Sequence, residues 1–372
     1  MKYKKLCVGA VLLVMMYMFF MYMSNIRSVW QGFYNIESSV SASVPFKDYI
    51  HRLYGYTGKY LTPYMIDRIT KDNDGYLQLR RTYTSNLDFS VRSIGKLRDV
   101  CKEADTDFLY VSYPNKADYT HYAQTVFDRY HNYGLEDNSI DLRTEFLERL
   151  NEEGIKVYNL RSFFIDDPHD IFYKTDHHWT VDSGFKAAQM ISDYLNENDY
   201  DVDNSVLDLD NFERQVYKNK WLGETGRKYT EIWTGTLDDY VVIKPKFKTD
   251  LKYSLSDEYN RSGDFSILID DAVIDTDFNL YDTSLHYCYM PDIQKYAKII
   301  NNNNKDKAKI LMVVDSFSHP VAPFISLTCG EVVWWDVREN PESLFEYIRN
   351  NDFDLVITAY TDYWLNMVYD YH

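Results

Sequence analysis

The chain has 372 residues, a formal net charge of −17 and an apolar share of 45%. That share supports at least one large core and excludes a compositionally disordered chain. The acidity excludes nucleic acid as an expected partner, because phosphate binding is driven by Lys and Arg.

The first elements set the expected compartment. Lys2, Lys4 and Lys5 precede Leu6 to Met23, a run without charge that is about 18 residues long, enough to span the hydrocarbon core. Basic residues ahead of such a run place residues 1–5 in the cytoplasm and the rest outside. Nothing after Met23 reads as a small-residue cleavage site, so residues 6–23 are read as an uncleaved signal anchor. The expectation is a single-pass cell-membrane protein whose C-terminal domain is extracytoplasmic. Residues 24–75 have no strong period and end in the turn-rich Lys71-Asp72-Asn73-Asp74-Gly75, so they are read as a membrane-proximal spacer.

From residue 76 onward, helical and strand patterns alternate. Phe89, Val91, Ile94, Leu97 and Val100 have helical spacing within 87–104, and Phe108 to Tyr113 is an apolar strand ending at Pro114. A helix over 141–152 is stopped by Gly154 before a short strand over 155–160. Thr180 is a fitting N-cap for a helix over 180–196 that carries Phe185, Ala188, Ile191 and Leu195 on one face. Residues 199–300 are less regular and read as an insertion, with Asp238 to Ile243 the clearest strand. Apolar runs at 310–314, 331–335 and 355–359 complete the pattern. Such alternation predicts an α/β fold with a mainly parallel sheet flanked by helices.

The four cysteines, Cys7, Cys101, Cys288 and Cys329, contain no CxxC pair and fix no disulfide framework. Aromatic residues make up 17% of the chain, and rings with polar handles suit stacking on sugars as well as packing in a core.

The densest chemical signal is Thr175-Asp176-His177-His178-Trp179-Thr180. In extended backbone, residues i and i+2 face the same side, so Asp176 can orient His178 while His177 points away. A carboxylate on one ring nitrogen fixes the tautomer and leaves the other as a general base. The hydroxyl for that base is Ser316, in Val314-Asp315-Ser316-Phe317-Ser318, immediately past an apolar strand. Reactive crevices of open α/β sheets lie beyond strand carboxyl ends, which favours Ser316 over Ser318. Asp166, Asp167, His169, Asp170, Asp176, His177 and His178 also form a cluster of metal-ligand chemistry. No H-E-x-x-H or comparable spacing accompanies it, so neither metal nor cofactor is expected.

Asp176-His177-His178-Trp179 resembles the signature of the DHHW proteins, relatives of the SGNH-hydrolase-like acyltransferases that O-acetylate exopolysaccharides such as alginate. Tyr113-Pro114-Asn115-Lys116, Leu222-Gly223 with Gly226-Arg227, Asp315-Ser316-Phe317 and Trp335-Asp336-Val337-Arg338 extend the likeness in order along residues 75–365. The resemblance implies an SGNH-hydrolase-like fold and acetyl-ester chemistry on a cell-surface or secreted polysaccharide or oligosaccharide. It implies Ser316 as nucleophile, His178 as acid/base and Asp176 as its partner, working as transferase or esterase. A membrane partner supplying the acyl group is implied in the same way. Val314 stands where hydrolases of the wider group have Gly. The Ser316 N–H is then the natural oxyanion donor, with Asn115, Lys116 and Arg227 as candidates for the oxyanion or the substrate. The alternative from another class is a surface carbohydrate-binding protein on the same fold without turnover.

Overall fold

The computed structural model describes residues 47–66, 69–72, 74–79, 87–114, 116, 139–161, 171–256, 259–276, 278–293, 295–361 and 371. The expected anchor, 6–23, lies outside them. Among the described residues no helix is long and apolar enough to cross a membrane. Helix α1, Lys47–Leu61, belongs to a unit of its own, Met1–Thr62. It lies within the stretch read as a spacer and exposes Tyr49, Leu53, Tyr60 and Leu61.

The second unit, Pro63–His372, carries the chemistry. It begins with three short antiparallel strands, β1 (Met65–Ile66), β2 (Ile69–Lys71) and β3 (Leu77–Leu79). Then follow α2 (Leu87–Glu103), β4 (Asp107–Ser112), α3 (Ser139–Glu152), β5 (Val157–Asn159) and α4 (Val181–Glu197). Thr180 caps α4, its hydroxyl accepting from Ser183 N–H at 3.2 Å, as its residue type predicts. Next come β6 (Phe212–Trp221), α5 (Glu224–Thr234), β7 (Asp238–Pro245), β8 (Leu251–Ser254), β9 (Asn260–Gly263) and β10 (Tyr296–Asn301). The chain ends with β11 (Lys309–Val314), α6 (Ala322–Thr328), β12 (Glu331–Trp335), α7 (Leu344–Asn350) and β13 (Leu355–Tyr360).

Among the described residues the main sheet has eight strands in the order β5-β4-β13-β11-β12-β10-β8-β9. From β5 to β12 every pair is parallel, and from β12 to β9 every pair is antiparallel. The expectation of a mainly parallel sheet therefore needs correction: the sheet is mixed. Its antiparallel half comes from residues 251–301, within and just past the stretch read as insertion, where short alternating strands lack the continuous apolar runs of doubly buried ones.

Both faces of the parallel half are buried, and alternation along each strand feeds two cores. Ile310, Met312 and Val314 face one side with Phe185, Ala188, Ile191 and Leu195 of α4. Leu311 and Val313 face the other with Ile94 and Leu97 of α2 and Phe146 and Leu150 of α3. Phe89, expected on the buried face of α2, is 45% exposed, while Leu87 and Ser90 take the inward positions. Both strand ends that matter for the site, after β4 and after β11, are thus held by packing on both sides.

Candidate active site

The residues picked from the sequence converge where β11 ends. Asp315 is extended and its carboxylate accepts from Phe317 N–H at 3.0 Å, which closes a single 3-10 turn over Ser316–Ser318. The other oxygen of that carboxylate accepts from the N–H and hydroxyl of Thr361, both at 2.9 Å, just past β13. The turn is therefore fixed to two neighbouring strands. Burial pushes the Asp315 carboxyl up to about 6, against the Thr361 hydrogen bond and the charge of Arg338. Ser316 is half-buried, whereas Ser318 is fully buried and its hydroxyl pairs with Tyr113 Oη at 3.1 Å. Of the two serines, Ser316 is the accessible one.

His178 bridges this turn to Asp176. Its Nε2 lies 2.8 Å from Ser316 Oγ and its Nδ1 lies 2.6 Å from Asp176 Oδ1. The same carboxylate oxygen accepts from the His178 N–H at 2.9 Å, and Oδ2 accepts from the Glu224 N–H at 2.5 Å. Burial opposes charge on Asp176, but His178, His177 and the hydrogen bond from His178 outweigh it and hold the carboxyl well below its usual range. Burial, then the charge of His177, brings the His178 imidazole down to about 3 despite Asp176. The pair is thus carboxylate and neutral imidazole at neutral pH. With Nδ1 as the donor to Asp176, Nε2 is left to accept from the Ser316 hydroxyl.

The neighbours of the pair explain the rest of the motif. Trp179 is buried and donates its indole N–H to Phe317 O at 2.8 Å, so the residue after the base is tied to the turn that carries Ser316. Its ring packs on Tyr113 with centroids 4.7 Å apart. Thr175 is held by Asp238, which accepts from its N–H at 2.8 Å and from its hydroxyl at 2.5 Å. The Thr175 hydroxyl in turn accepts from Gly223 N–H at 2.7 Å, and its carbonyl from Gly226 N–H at 2.8 Å. A Cβ on Gly223 would stand 2.4 Å from Asp176 Cβ, and one on Gly226 2.8 Å from Thr175 Cβ. These two glycines let α5 come close enough for the Glu224 N–H to reach the carboxylate.

Two of the other sequence candidates are held by backbone carbonyls. Lys116 is buried beneath the loop, its Nζ donating to the carbonyls of Leu77 at 3.0 Å, Lys174 at 3.3 Å and Asp176. Burial brings it down to about 8, against Asp238, Asp176 and Asp72. Arg227, on α5, donates to Asp282 O at 3.1 Å. Asn115 lies outside the described residues, as do Asp166, Asp167, His169 and Asp170 of the metal-type cluster. Asp176, His177 and His178 have ligand-type atoms within 4.8 Å of one another, but both ring nitrogens of His178 already face Asp176 and Ser316.

One residue was missed. His286, from the irregular stretch before β10, is buried and stacks face to face on His178, with ring centroids 3.5 Å apart and planes 14° from parallel. Nothing in the isolated Leu285-His286-Tyr287 marks it, because the contact spans more than one hundred residues of chain.

Residues 73–218 match the family model of an SGNH hydrolase-like domain, acetyltransferase AlgX. This segment is similar to the SGNH hydrolase-like domain of AlgX-type acetyltransferases. The resemblance read from the motifs is thereby borne out, and the α/β assignment with it. No curated protein matches the chain by sequence. Among solved structures, PatB1 from Bacillus cereus is similar at a TM-score of 0.64 and 18% identity, over 82% of this chain and 98% of that one. A DHHW family protein from Eubacterium siraeum DSM 15702 is similar at 0.55 and 16%, over 79% and 90%. At these identities both likenesses concern the fold. The AlgX-type match ends at residue 218, so it contains Asp176 and His178 while Ser316 lies beyond it.

Proposed function

We propose that the protein is an extracytoplasmic O-acetyltransferase or acetylesterase acting on a cell-surface or secreted polysaccharide through Ser316, His178 and Asp176. The observation that carries the reading is the continuous chain Asp176 Oδ1, His178 Nδ1, His178 Nε2, Ser316 Oγ, with links of 2.6 and 2.8 Å. The AlgX-type match supports acetyl transfer as the chemistry. The basic N-terminus followed by the apolar run at 6–23 supports an anchored domain facing outward.

In this mechanism Ser316 Oγ attacks the acetyl carbonyl while its proton passes to His178 Nε2, and Asp176 stabilises the imidazolium that forms. The carbonyl oxygen becomes an oxyanion facing the Ser316 N–H, at the open start of the 3-10 turn. His178 returns the proton to the departing alkoxide, leaving acetyl-Ser316. A hydroxyl of sugar or water then attacks that ester while His178 takes its proton, and His178 passes the proton to Ser316 Oγ as the bond from Oγ to the acetyl carbon breaks. The neutral state of His178 suits it to this task at neutral pH without prior deprotonation.

The test is hydrolysis of p-nitrophenyl acetate together with labelling by a sulfonyl fluoride. The wild type should release p-nitrophenol and gain one sulfonyl group on Ser316 by mass spectrometry, and Ser316→Ala should do neither. Wild-type turnover in Ser316→Ala refutes the nucleophile assignment. Activity that disappears with chelator and returns with zinc refutes the mechanism as a whole.

A further inference from the structure

Residues 174–178 form a largely buried bend without strand pairing, closed by a bridge between Phe172 and Trp179. Such a bend has no ladder to satisfy its backbone, so its N–H and C=O groups need other partners. Two buried charges supply them. Asp238, at the start of β7 and 5% exposed, accepts from the N–H of Lys174 at 2.5 Å and from the N–H of Thr175 at 2.8 Å. Lys116, also 5% exposed, donates from Nζ to the carbonyls of Lys174 at 3.3 Å and Asp176, and to Leu77 O of β3 at 3.0 Å. A carboxylate only accepts and an ammonium only donates, so the two divide the backbone of the bend between them by polarity. Burial lowers the Lys116 pKa, opposed first by Asp238; burial raises that of Asp238, opposed by its hydrogen bonds from Thr175 and Lys174 and by Lys116. Both lines of contact end on the acid-base pair. The carbonyl that Lys116 holds belongs to Asp176, the residue that orients His178. From the other side, Asp238 Oδ2 accepts from the Thr175 hydroxyl, that hydroxyl accepts from Gly223 N–H, and the next N–H, of Glu224, reaches Asp176 Oδ2.

We propose that Lys116 and Asp238 are a matched pair of positioning residues, which fix Asp176 and His178 against Ser316 through the backbone of residues 174–176 and touch no reacting atom. This inference rests on the acyl-enzyme reading above, whose acid-base pair it supports. Hydrogen bonds to ions are shorter and about twice as strong as neutral ones. That suits them to a bend that must not shift, since misplacing a reacting group by about 1 Å costs on the order of 10²-fold in rate. The opposite charges carry a further consequence. Removing one ion strands the other in a buried site, whereas removing both restores neutrality without restoring the hydrogen bonds. Stability and turnover therefore respond differently to the second substitution: stability recovers and turnover does not. A pair kept only for charge balance would recover both together.

The experiment compares Lys116→Met, Asp238→Asn and the double variant with the wild type in the full chain. Lys116→Met keeps most of the side-chain length without a donor, and Asp238→Asn keeps the shape without the charge. Urea unfolding reads stability, p-nitrophenyl acetate hydrolysis reads kcat and KM, and the rate at which a sulfonyl fluoride labels Ser316 reads activation of the serine. The expected double variant loses less in urea midpoint than the two single variants combined, while its kcat stays at least about tenfold below wild type with KM little changed, and labelling slows alongside. Where a single variant does not fold, a folded double variant meets the stability expectation and kcat is read on it. A double variant whose kcat lies within tenfold of wild type overturns the proposal. A midpoint loss as large as the two single losses combined, or a double variant that does not fold, overturns the pairing and the proposal with it. A loss that falls on KM with kcat spared overturns it too. A wild type with neither ester turnover nor labelling removes the acyl-enzyme reading itself, whereas a wild type with both and an unimpaired double variant removes this inference alone.

Discussion

Replacing Gly223 by Ala isolates the positioning of the acid-base pair from its chemistry. Gly223 has φ −63° and ψ 172°, a conformation open to any residue, so the substitution carries no backbone penalty and acts through space alone. The added methyl would stand 2.4 Å from Asp176 Cβ, 2.7 Å from its N and 2.7 Å from its Oδ2. Relief to an ordinary contact requires movement of about 1 Å, and a shift of that size in a reacting group costs on the order of 10²-fold. Asp176 is the group that moves, and with it the 2.6 Å bond to His178 Nδ1 and the 2.5 Å bond from Glu224 N–H. The expected outcome is a kcat on p-nitrophenyl acetate reduced about 100-fold, equivalent to about 2.7 kcal/mol on the barrier. Stability should fall by about 1–3 kcal/mol, as for other overpacked sites. Gly95→Ala is the matched control: its methyl would meet nothing nearer than 3.9 Å, and helix α2 should gain about 0.5–1 kcal/mol with activity unchanged. If Gly223→Ala folds and keeps kcat within threefold of wild type, the positioning argument is wrong.

Asp176→Asn should lower kcat by about 10⁴-fold, because an amide in place of the carboxylate favours the wrong His178 tautomer. Stopped-flow or endpoint release of p-nitrophenol measures it, and a loss under tenfold would count against the assignment. The acid limb of kcat/KM should fall well below the ordinary histidine value of 6.5, since burial holds His178 neutral down to about 3. A limb centred at 6.5 would show a solvated base instead. Stability should decline as pH falls below 6.5: His178, His286 and His319 all have folded-state values below their unfolded ones, so the unfolded chain binds more protons there. Each histidine contributes a loss of about 1.4 kcal/mol per pH unit. Asp315, raised by burial to about 6, binds protons in the folded state and offsets part of that loss. Urea unfolding at pH 7.5 and 5.5 reads the sum, and equal midpoints would contradict it. Trp179→Phe removes the donor to Phe317 O and should cost about 1–3 kcal/mol through the orphaned buried carbonyl, measured by the same unfolding curves.

The parts of the site visible in the sequence were those carried by short-range geometry. The i, i+2 spacing paired Asp176 with His178, but His177 does not point away: residues 174–178 bend, its Nδ1 stands 3.5 Å from Asp176 Oδ1 and its ring 3.8 Å from that of His178. The apolar strand before Asp315 placed Ser316 at a carboxyl edge. Strand β6 escaped notice because its ten residues show no alternation, with exposed and half-buried positions running through Glu213 to Lys220. The antiparallel edge strands escaped for a related reason, since β9 is exposed or half-buried throughout. Lys116 drew attention as a cation near a motif, but charge says nothing of direction, and its three carbonyl partners come from residues 77, 174 and 176. Gly223 read as part of a pattern, while the reason for it is the distance to Asp176. His286 had no local signal at all.

The indole of Trp179 leaves a mark on how the site tolerates motion. One tetrapeptide carries Asp176, His178 and a clamp on the carbonyl of Phe317, directly after Ser316, so the 2.8 Å spacing between His178 and Ser316 is gauged by the motif itself. The Trp179 indole ties the loop over 175–179 to the turn at 316–318, so His178 and Ser316 share one local frame. Variation at positions that touch neither Asp176 nor the turn at 316–318 then leaves that gauge unchanged, whereas Gly223 and Glu224 belong to it.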